Sequence, residues 1–168
     1  DEAKPAIPTD PFTVAKTAIY LMGKDIFKDT DTKFIWTRFF YVYGPGQRTA
    51  SLIPHIIKSI GEGKKPEIRT PNSRNDFVYV KDVADALYDI MLKGNSGIYN
   101  IGYGSTTSVK EIIGIVSKKL KFNIDLNTLV GVNEEKVDFW ANLSKIKGET
   151  GWSPKTGIEK GISEYIFS

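Results

Sequence analysis

The stretch that most constrains this chain is Lys33–Gly44, KFIWTRFFYVYG, which runs directly into Pro45 and Gly46. Aromatic and β-branched residues in succession, stopped by a Gly-Pro-Gly turn, read as a buried strand. Ahead of it, from Phe12 to about Lys28, Val14, Ala15, Ala18, Ile19, Leu21, Met22, Ile26 and Phe27 recur at helical spacing. They spread beyond one stripe about 100° wide, so this helix is expected to be covered on two sides.

The same alternation continues along the chain. ASLIPHIIKSIGEG reads as a helix with Pro54 in its first turn, where a proline's missing amide costs least. PEIRT and DFVYV (Asp76–Val80) read as short strands, and Lys81–Lys93 as a helix with Val83, Ala86, Leu87, Ile90 and Met91 inward, ended by Gly94. GIYNIG (Gly97–Gly102) is a further strand. Ser108-Val-Lys-Glu111 is a capping box that opens a helix to about Leu120, and Thr156-Gly-Ile-Glu159 repeats the pattern for a last helix after Trp152 and Pro154. Asp82 is expected to cap or begin the helix after DFVYV. Strands alternating with helices favour an α/β fold. The glycine clusters YGPG, GEG and GYG do not form a G-x-G-x-x-G turn between a strand and a helix, so a cofactor-binding half is expected to lie outside this sequence.

Composition narrows the function classes. The 168 residues fit one domain, with 40% hydrophobic and 26% charged residues as in ordinary globular chains. The 23 basic and 20 acidic residues are scattered, so the formal charge of +3 makes no case for nucleic acid. The absence of cysteine excludes disulfides and thiolate metal sites and is compatible with a cytoplasmic location. With His55 the single histidine and no carboxylate pair at ligand spacing, no metal site is expected. No apolar run approaches the roughly 20 residues that span a bilayer. The start, DEAKPAIP, lacks both a signal-peptide pattern and a methionine, which suggests a chain that begins inside a longer protein.

Four stretches taken in order, PFTVAK (Pro11–Lys16), RFFYVYGPGQ (Arg38–Gln47), NDFVYVKDVADAL (Asn75–Leu87) and WANLSKIKGETGWSP (Trp140–Pro154), resemble the extended short-chain dehydrogenase/reductase family, in its nucleotide-sugar epimerase, dehydratase and reductase branch. The resemblance covers essentially the whole chain and corresponds to the C-terminal half of such an enzyme. It implies an α/β architecture: the C-terminal part of a Rossmann-type doubly wound domain plus a small α/β substrate-binding domain. Residues 1–47 would be the end of the Rossmann-type core and 48–168 a mixed substrate-binding region, with strands near 76–80 and 97–101 returning to the core. The implied cofactor is NAD or NADP, the implied substrate a nucleotide sugar, and the implied assembly a homodimer packed through the Phe12–Lys28 helix.

Family members carry a tyrosine followed four residues later by a lysine. Positions i and i+4 share a helix face, so a lysine can lower the pKa of a phenol that otherwise titrates near 10, and it also binds the cofactor ribose. Here the pair is Phe12 and Lys16. Tyr20-Leu-Met-Gly-Lys24 spells the same spacing, but Arg38 lies 22 residues beyond Lys16, as the family pattern requires, and too close to Lys24. Tyr20 therefore reads as a packing or interface residue. Phenylalanine keeps the ring and loses the proton carrier, so the residue was either changed deliberately or belongs to a protein that works differently. The plainer reading of the pair is a helix-start core aromatic beside a solvated lysine.

The resemblance carries further positions. Phe39 falls among nicotinamide contacts and Tyr41 among sugar contacts, Tyr41 standing where the family has asparagine; Phe40 reads as core. Ser51, Leu52, Ile53 and Pro54 match the segment against the nucleotide base. Asn75 occupies the slot of a diphosphate-binding arginine, with Arg74 one place earlier in an expected loop. A second such arginine would fall near Val132, where Lys136 is the candidate substitute. Epimerase, 4,6-dehydratase and 4-keto reductase remain equally open, and so does a catalytically inactive homologue acting as a sugar-nucleotide-binding or protein-interaction module. The chain alone is expected to show no turnover.

Overall fold

The structure, a computed structural model, describes residues 1–3, 7–131 and 138–167. Val132 and Lys136 lie outside the described residues. Helix α1 (Pro11–Ile26) starts where Asp10 accepts hydrogen bonds from the amides of Phe12 and Thr13, and Thr13 closes the box through its own side chain. These caps satisfy donors that a helix start would otherwise leave unpaired. The helix then lies on the aromatic run through Tyr20, Gly23 and Phe27. Tyr20 stacks with Phe34 and tilts against Trp36, at centroid distances of 6.2 and 5.5 Å. A Cβ at Gly23 would come within 2.5 Å of the Phe34 ring, so glycine sets the closeness of this crossing.

The aromatic run is two strands rather than one. β1 (Ile35–Phe39) pairs in parallel with β5 (Gly97–Ile101), and β2 (Tyr41–Tyr43) pairs in parallel with β4 (Phe77–Tyr79). The handover occurs at Phe40: its amide donates to Ile101 O, and the next amide, of Tyr41, donates to Asp76 O. A third small sheet has the order β6-β3-β7, formed by Thr107–Ser108, Arg74–Asn75 and Asp138–Phe139. Arg74 thus sits in a strand and not in the expected loop. PEIRT, in contrast, forms no strand: no ladder partner lies beside it among the described residues, and Ile68 instead packs toward the core.

The strand period of two divides the interior into two cores on opposite sides of the β2–β4 pair. Tyr43, Phe77 and Tyr79 face the first, with Ile53, Ile56 and Ile60 of α2 (Leu52–Gly61), Ile112, Ile113 and Val116 of α4 (Val109–Lys119), and Ile162 of α6 (Ile158–Ile166). Val78 faces the second, with Val83, Ala86 and Ile90 of α3 (Val80–Lys93), Tyr99 and Ile101 of β5, Ile146 of α5 (Ser144–Thr150), and Trp152. Pro54 sits inside the first turn of α2, as its chemistry requires.

Two capping expectations diverge. The Ser108–Glu111 box forms, with Ser108 N donating to Glu111 Oε2 at 2.6 Å and Glu111 N to Ser108 Oγ at 3.1 Å. The Thr156–Glu159 box does not: α6 starts at Gly157 without a side-chain cap. Thr156 is drawn to Asp82, which is 3% exposed in the first turn of α3 and accepts from Lys155 N, Thr156 N and Thr156 Oγ1 at 3.0, 2.8 and 3.0 Å. Burial opposes ionisation of Glu111, but the Ser108 bonds and Arg74 together hold its carboxyl below its ordinary value near 4.5. A lowered carboxyl contributes stability that is present above its unfolded-state pKa and lost as pH falls through the folded one. Glu111→Gln is therefore expected to flatten the acid-side loss below about pH 4.5, read as urea midpoint against pH. An unchanged slope would remove Glu111 from that account.

Among the described residues, no helix is long and apolar enough to cross a membrane, and no group of three or more His, Asp or Glu side chains could hold a metal ion.

Candidate functional site

A cleft of about 910 Å³ opens where the start of α1 meets the β1–β2 handover. It is lined by Asp1, Phe12 and Lys16, by Arg38–Tyr41, and by Asn100, Phe139 and Trp140. Each element contributes for a local reason. The cap at Asp10 fixes the first turn of α1, so Phe12 and Lys16 share one face. Lys16 Nζ lies 4.2 Å from the centroid of the Phe12 ring. Such a contact is worth about 0.5–1 kcal/mol at an exposed site. Among the described residues the Lys16 ammonium has no hydrogen-bond or ion-pair partner, which leaves its donors for a ligand.

The opposite wall is aromatic. Phe139 tilts against Phe40 at 5.9 Å and against Tyr41 at 6.4 Å, and Tyr41 tilts against Phe77 at 5.6 Å. Phe39, Tyr41, Phe139 and Trp140 are 48, 46, 43 and 56% exposed, so this is a presented surface rather than core. Phe40 lines the cleft as well, contrary to its reading as a core aromatic. The handover explains this, because a residue between two strands of different sheets has no single buried face. Arg38 donates from Nη1 to Glu2 O at 3.3 Å, and Asn100 N donates to Glu2 Oε1 at 3.4 Å, so the first residues lie along the cleft's edge.

The sequence-expected residues divide into two groups. Phe12, Lys16, Phe39 and Tyr41 meet in the cleft. Ser51, Leu52, Ile53 and Pro54 do not line it: they form the start of α2, where Ile53 and Pro54 are buried and Ser51 and Leu52 half-buried. Arg74 is also elsewhere, its guanidinium donating to Thr106 Oγ1, Thr106 O and Glu111 Oε2 at 3.1, 2.9 and 3.2 Å. Asn75 does not line the cleft either; it is half-buried and in register with Phe139, which does. Sequence reasoning passed over Asn100, Phe139 and Trp140. Asn100 follows from the β1–β5 register, which sets it opposite Arg38. Phe139 precedes the WANLSKIKGETGWSP stretch and Trp140 opens it, but nothing local marks either as a site residue, because both arrive from a distant part of the chain.

The sequence model of the GDP-mannose 4,6 dehydratase family matches residues 1–165. The chain belongs to that family. It is accordingly a member of the extended short-chain dehydrogenases/reductases, in their nucleotide-sugar branch. The chain is 29% identical over 99% of its length to a human dTDP-D-glucose 4,6-dehydratase, of which the match spans 50%. It is 28% identical over 81% of its length to CDP-abequose synthase of Salmonella muenchen, spanning 48% of that protein. A dTDP-glucose 4,6-dehydratase from Bacillus anthracis, solved in complex with NAD, superposes with a TM-score of 0.87 at 25% identity, over 99% of this chain and 54% of that one. The chain thus spans about half the length of the curated relatives it matches.

Proposed function

We propose that this chain is the C-terminal half of an NAD(P)-dependent enzyme that modifies a nucleotide sugar, and that the cleft receives the sugar end of that substrate. The observation that carries the reading is the meeting of Phe12 and Lys16 with Arg38–Tyr41 in one cleft. The Lys16 ammonium and the aromatic rings that line the cleft with it suit a ligand with anionic groups and flat or partly apolar rings. Within this reading Tyr41 takes the place of a sugar-contacting residue. Ser51 and Leu52, the half-buried members of their segment, are what α2 offers to a nucleotide base. Asn75 is the diphosphate-side residue, and Arg74 would join it only by leaving Thr106 and Glu111.

The residues present fit a nicotinamide cofactor in part. Lys16 has uncommitted donors suited to a ribose, and Phe39 offers an exposed flat face near it. A bound NAD or NADP would supply hydride-transfer chemistry. This chain's own part would be to hold the ribose through Lys16, to exclude water with the Phe39–Tyr41 wall, and to orient the sugar. The dinucleotide-binding turn would come from the other half of a longer protein, and the chain alone would not turn over. Two copies would associate through α1, whose Val14, Ile19, Leu21, Met22 and Ile26 are 52–63% exposed instead of covered on both sides. A second reading has one specific support: Phe12 carries no proton, which favours a binding module without catalysis.

Titration of the longer protein with dTDP-glucose is expected to show saturable binding that Tyr41→Ala weakens about tenfold, the scale of losing one base- or sugar-stacking ring. Sedimentation of the same sample is expected to give a dimer mass. Absence of binding to dTDP-, UDP- and GDP-sugars alike would sink the proposal, and a monomer mass would remove the dimer from it.

A further inference from the structure

We infer that Asp76 is a positioning residue: its carboxylate and its peptide oxygen together assemble the aromatic wall of the cleft from three separate parts of the chain. The inference rests on the cleft being a ligand site as proposed above. Asp76 is 0% exposed, yet its side chain is fully engaged. Oδ1 accepts from Tyr103 N at 2.5 Å, and Oδ2 accepts from Gly104 N and from Ala141 N, both at 2.9 Å. Its backbone oxygen accepts from Tyr41 N at 3.0 Å. One residue therefore holds the first residue of β2 and the residue directly after Trp140.

The wall depends on both grips. Phe139 and Trp140 immediately precede Ala141, and Phe139 meets Phe40 and Tyr41 at 5.9 and 6.4 Å. The neighbours of Asp76 in sequence reinforce the placement: Asn75 is in register with Phe139, and the Phe77 ring lies 5.6 Å from Tyr41. Three converging N–H donors need a group that only accepts, which an ionised carboxylate does and an amide does not. A buried asparagine would present its own N–H₂ to at least one of those donors, leaving it unsatisfied. Space is as restricted as chemistry, since a Cβ on Gly102 would lie 2.7 Å from both Asp76 Oδ2 and the Ala141 Cβ.

Asp82 is the built-in control. It is equally buried, and it also accepts three hydrogen bonds, from Lys155 and Thr156, but it does not line or brace the cleft. The test is fluorine NMR of the chain labelled with 5-fluorotryptophan, whose resonances report Trp36, Trp140 and Trp152, with Trp140 assigned through Trp140→Phe. Asp76→Asn is expected to move or broaden the Trp140 resonance while Trp36 stays in place, and Asp82→Asn to leave Trp140 unmoved. Should Asp76→Asn fail to fold, Asp76→Glu keeps the charge and displaces the carboxylate from its three donors, and the same Trp140 change is expected. In the longer protein, Asp76→Asn or Asp76→Glu is expected to weaken dTDP-glucose binding about tenfold, the scale on which loosened supporting contacts act, while Asp82→Asn retains it. A stationary Trp140 in either cleft variant, or an equal shift in Asp82→Asn, overturns the inference. If the longer protein binds no dTDP-glucose the functional reading fails, and the fluorine spectrum still decides the role of Asp76.

Discussion

Phe12→Tyr, introduced into the longer protein proposed above, is expected to raise hydride-transfer turnover by about 10²–10⁴-fold, the usual contribution of a positioned acid–base group. The substitution adds one hydroxyl to a ring that already lines the cleft and lies 4.2 Å from the Lys16 ammonium. A cation so close favours the phenolate, which is how a group that ordinarily titrates near 10 becomes useful at neutral pH. Phe12 is 67% exposed, so the new hydroxyl meets no steric obstacle and stability is expected to hold within about 0.5 kcal/mol. The measurement is nicotinamide absorbance with dTDP-, UDP- and GDP-sugars, compared with Phe12→Tyr/Lys16→Met. Turnover that appears with tyrosine and vanishes with methionine supports a lost or removed proton carrier. No gain from tyrosine, with substrate binding intact, favours the non-catalytic module.

The largest structural effect is expected at Gly161, far from that chemistry. Gly161 is buried in α6 against Tyr43, and a Cβ there would overlap the Tyr43 hydroxyl and ring. Exposed helical glycines gain about 1 kcal/mol on becoming alanine. Here overpacking, which costs about 1–3 kcal/mol, works against that gain, and Gly161→Ala is expected to be net destabilising. Tyr43 is 1% exposed and its hydroxyl finds no hydrogen-bond partner among the described residues. Burial first, then the neighbouring Tyr79 and Asp82, push that phenol well above its ordinary pKa. Removing the hydroxyl should therefore be tolerated, and Tyr43→Phe should rescue much of the loss, with a coupling of about 0.5–3 kcal/mol between the two sites. Urea unfolding of the four combinations measures it. Additive effects, or a Gly161→Ala protein as stable as the parent, would show that Tyr43 can move aside.

Local chemistry explains how much was legible beforehand. The start of α1, the Ser108–Glu111 box, the turn at Gly44–Gly46 and the Phe12–Lys16 spacing all depend on residues within four positions of one another. A sequence displays such relations directly. Phe12, Lys16, Phe39 and Tyr41 follow from the family resemblance, whose motifs are likewise short continuous stretches: one helix turn, and one aromatic run that spans the end of β1 and the start of β2. The sequence points to a loop at Arg74 because nothing nearby reveals Thr106 or Glu111, which lie 32 and 37 residues away.

The sequence by itself determined the principal helices, their alternation with strands, the family and a phenylalanine at position 12. Periodicity, capping and motif spacing are short-range properties of the covalent chain. Only the tertiary structure decided that the aromatic run splits at Phe40, that Thr156 serves Asp82 instead of capping its own helix, and that Phe139 and Trp140 complete the cleft. Each of those outcomes is settled by a buried donor or acceptor that must find a partner once water is excluded. The partners of Asp76 and Asp82 lie 27 to 74 residues away, a separation that only folding closes.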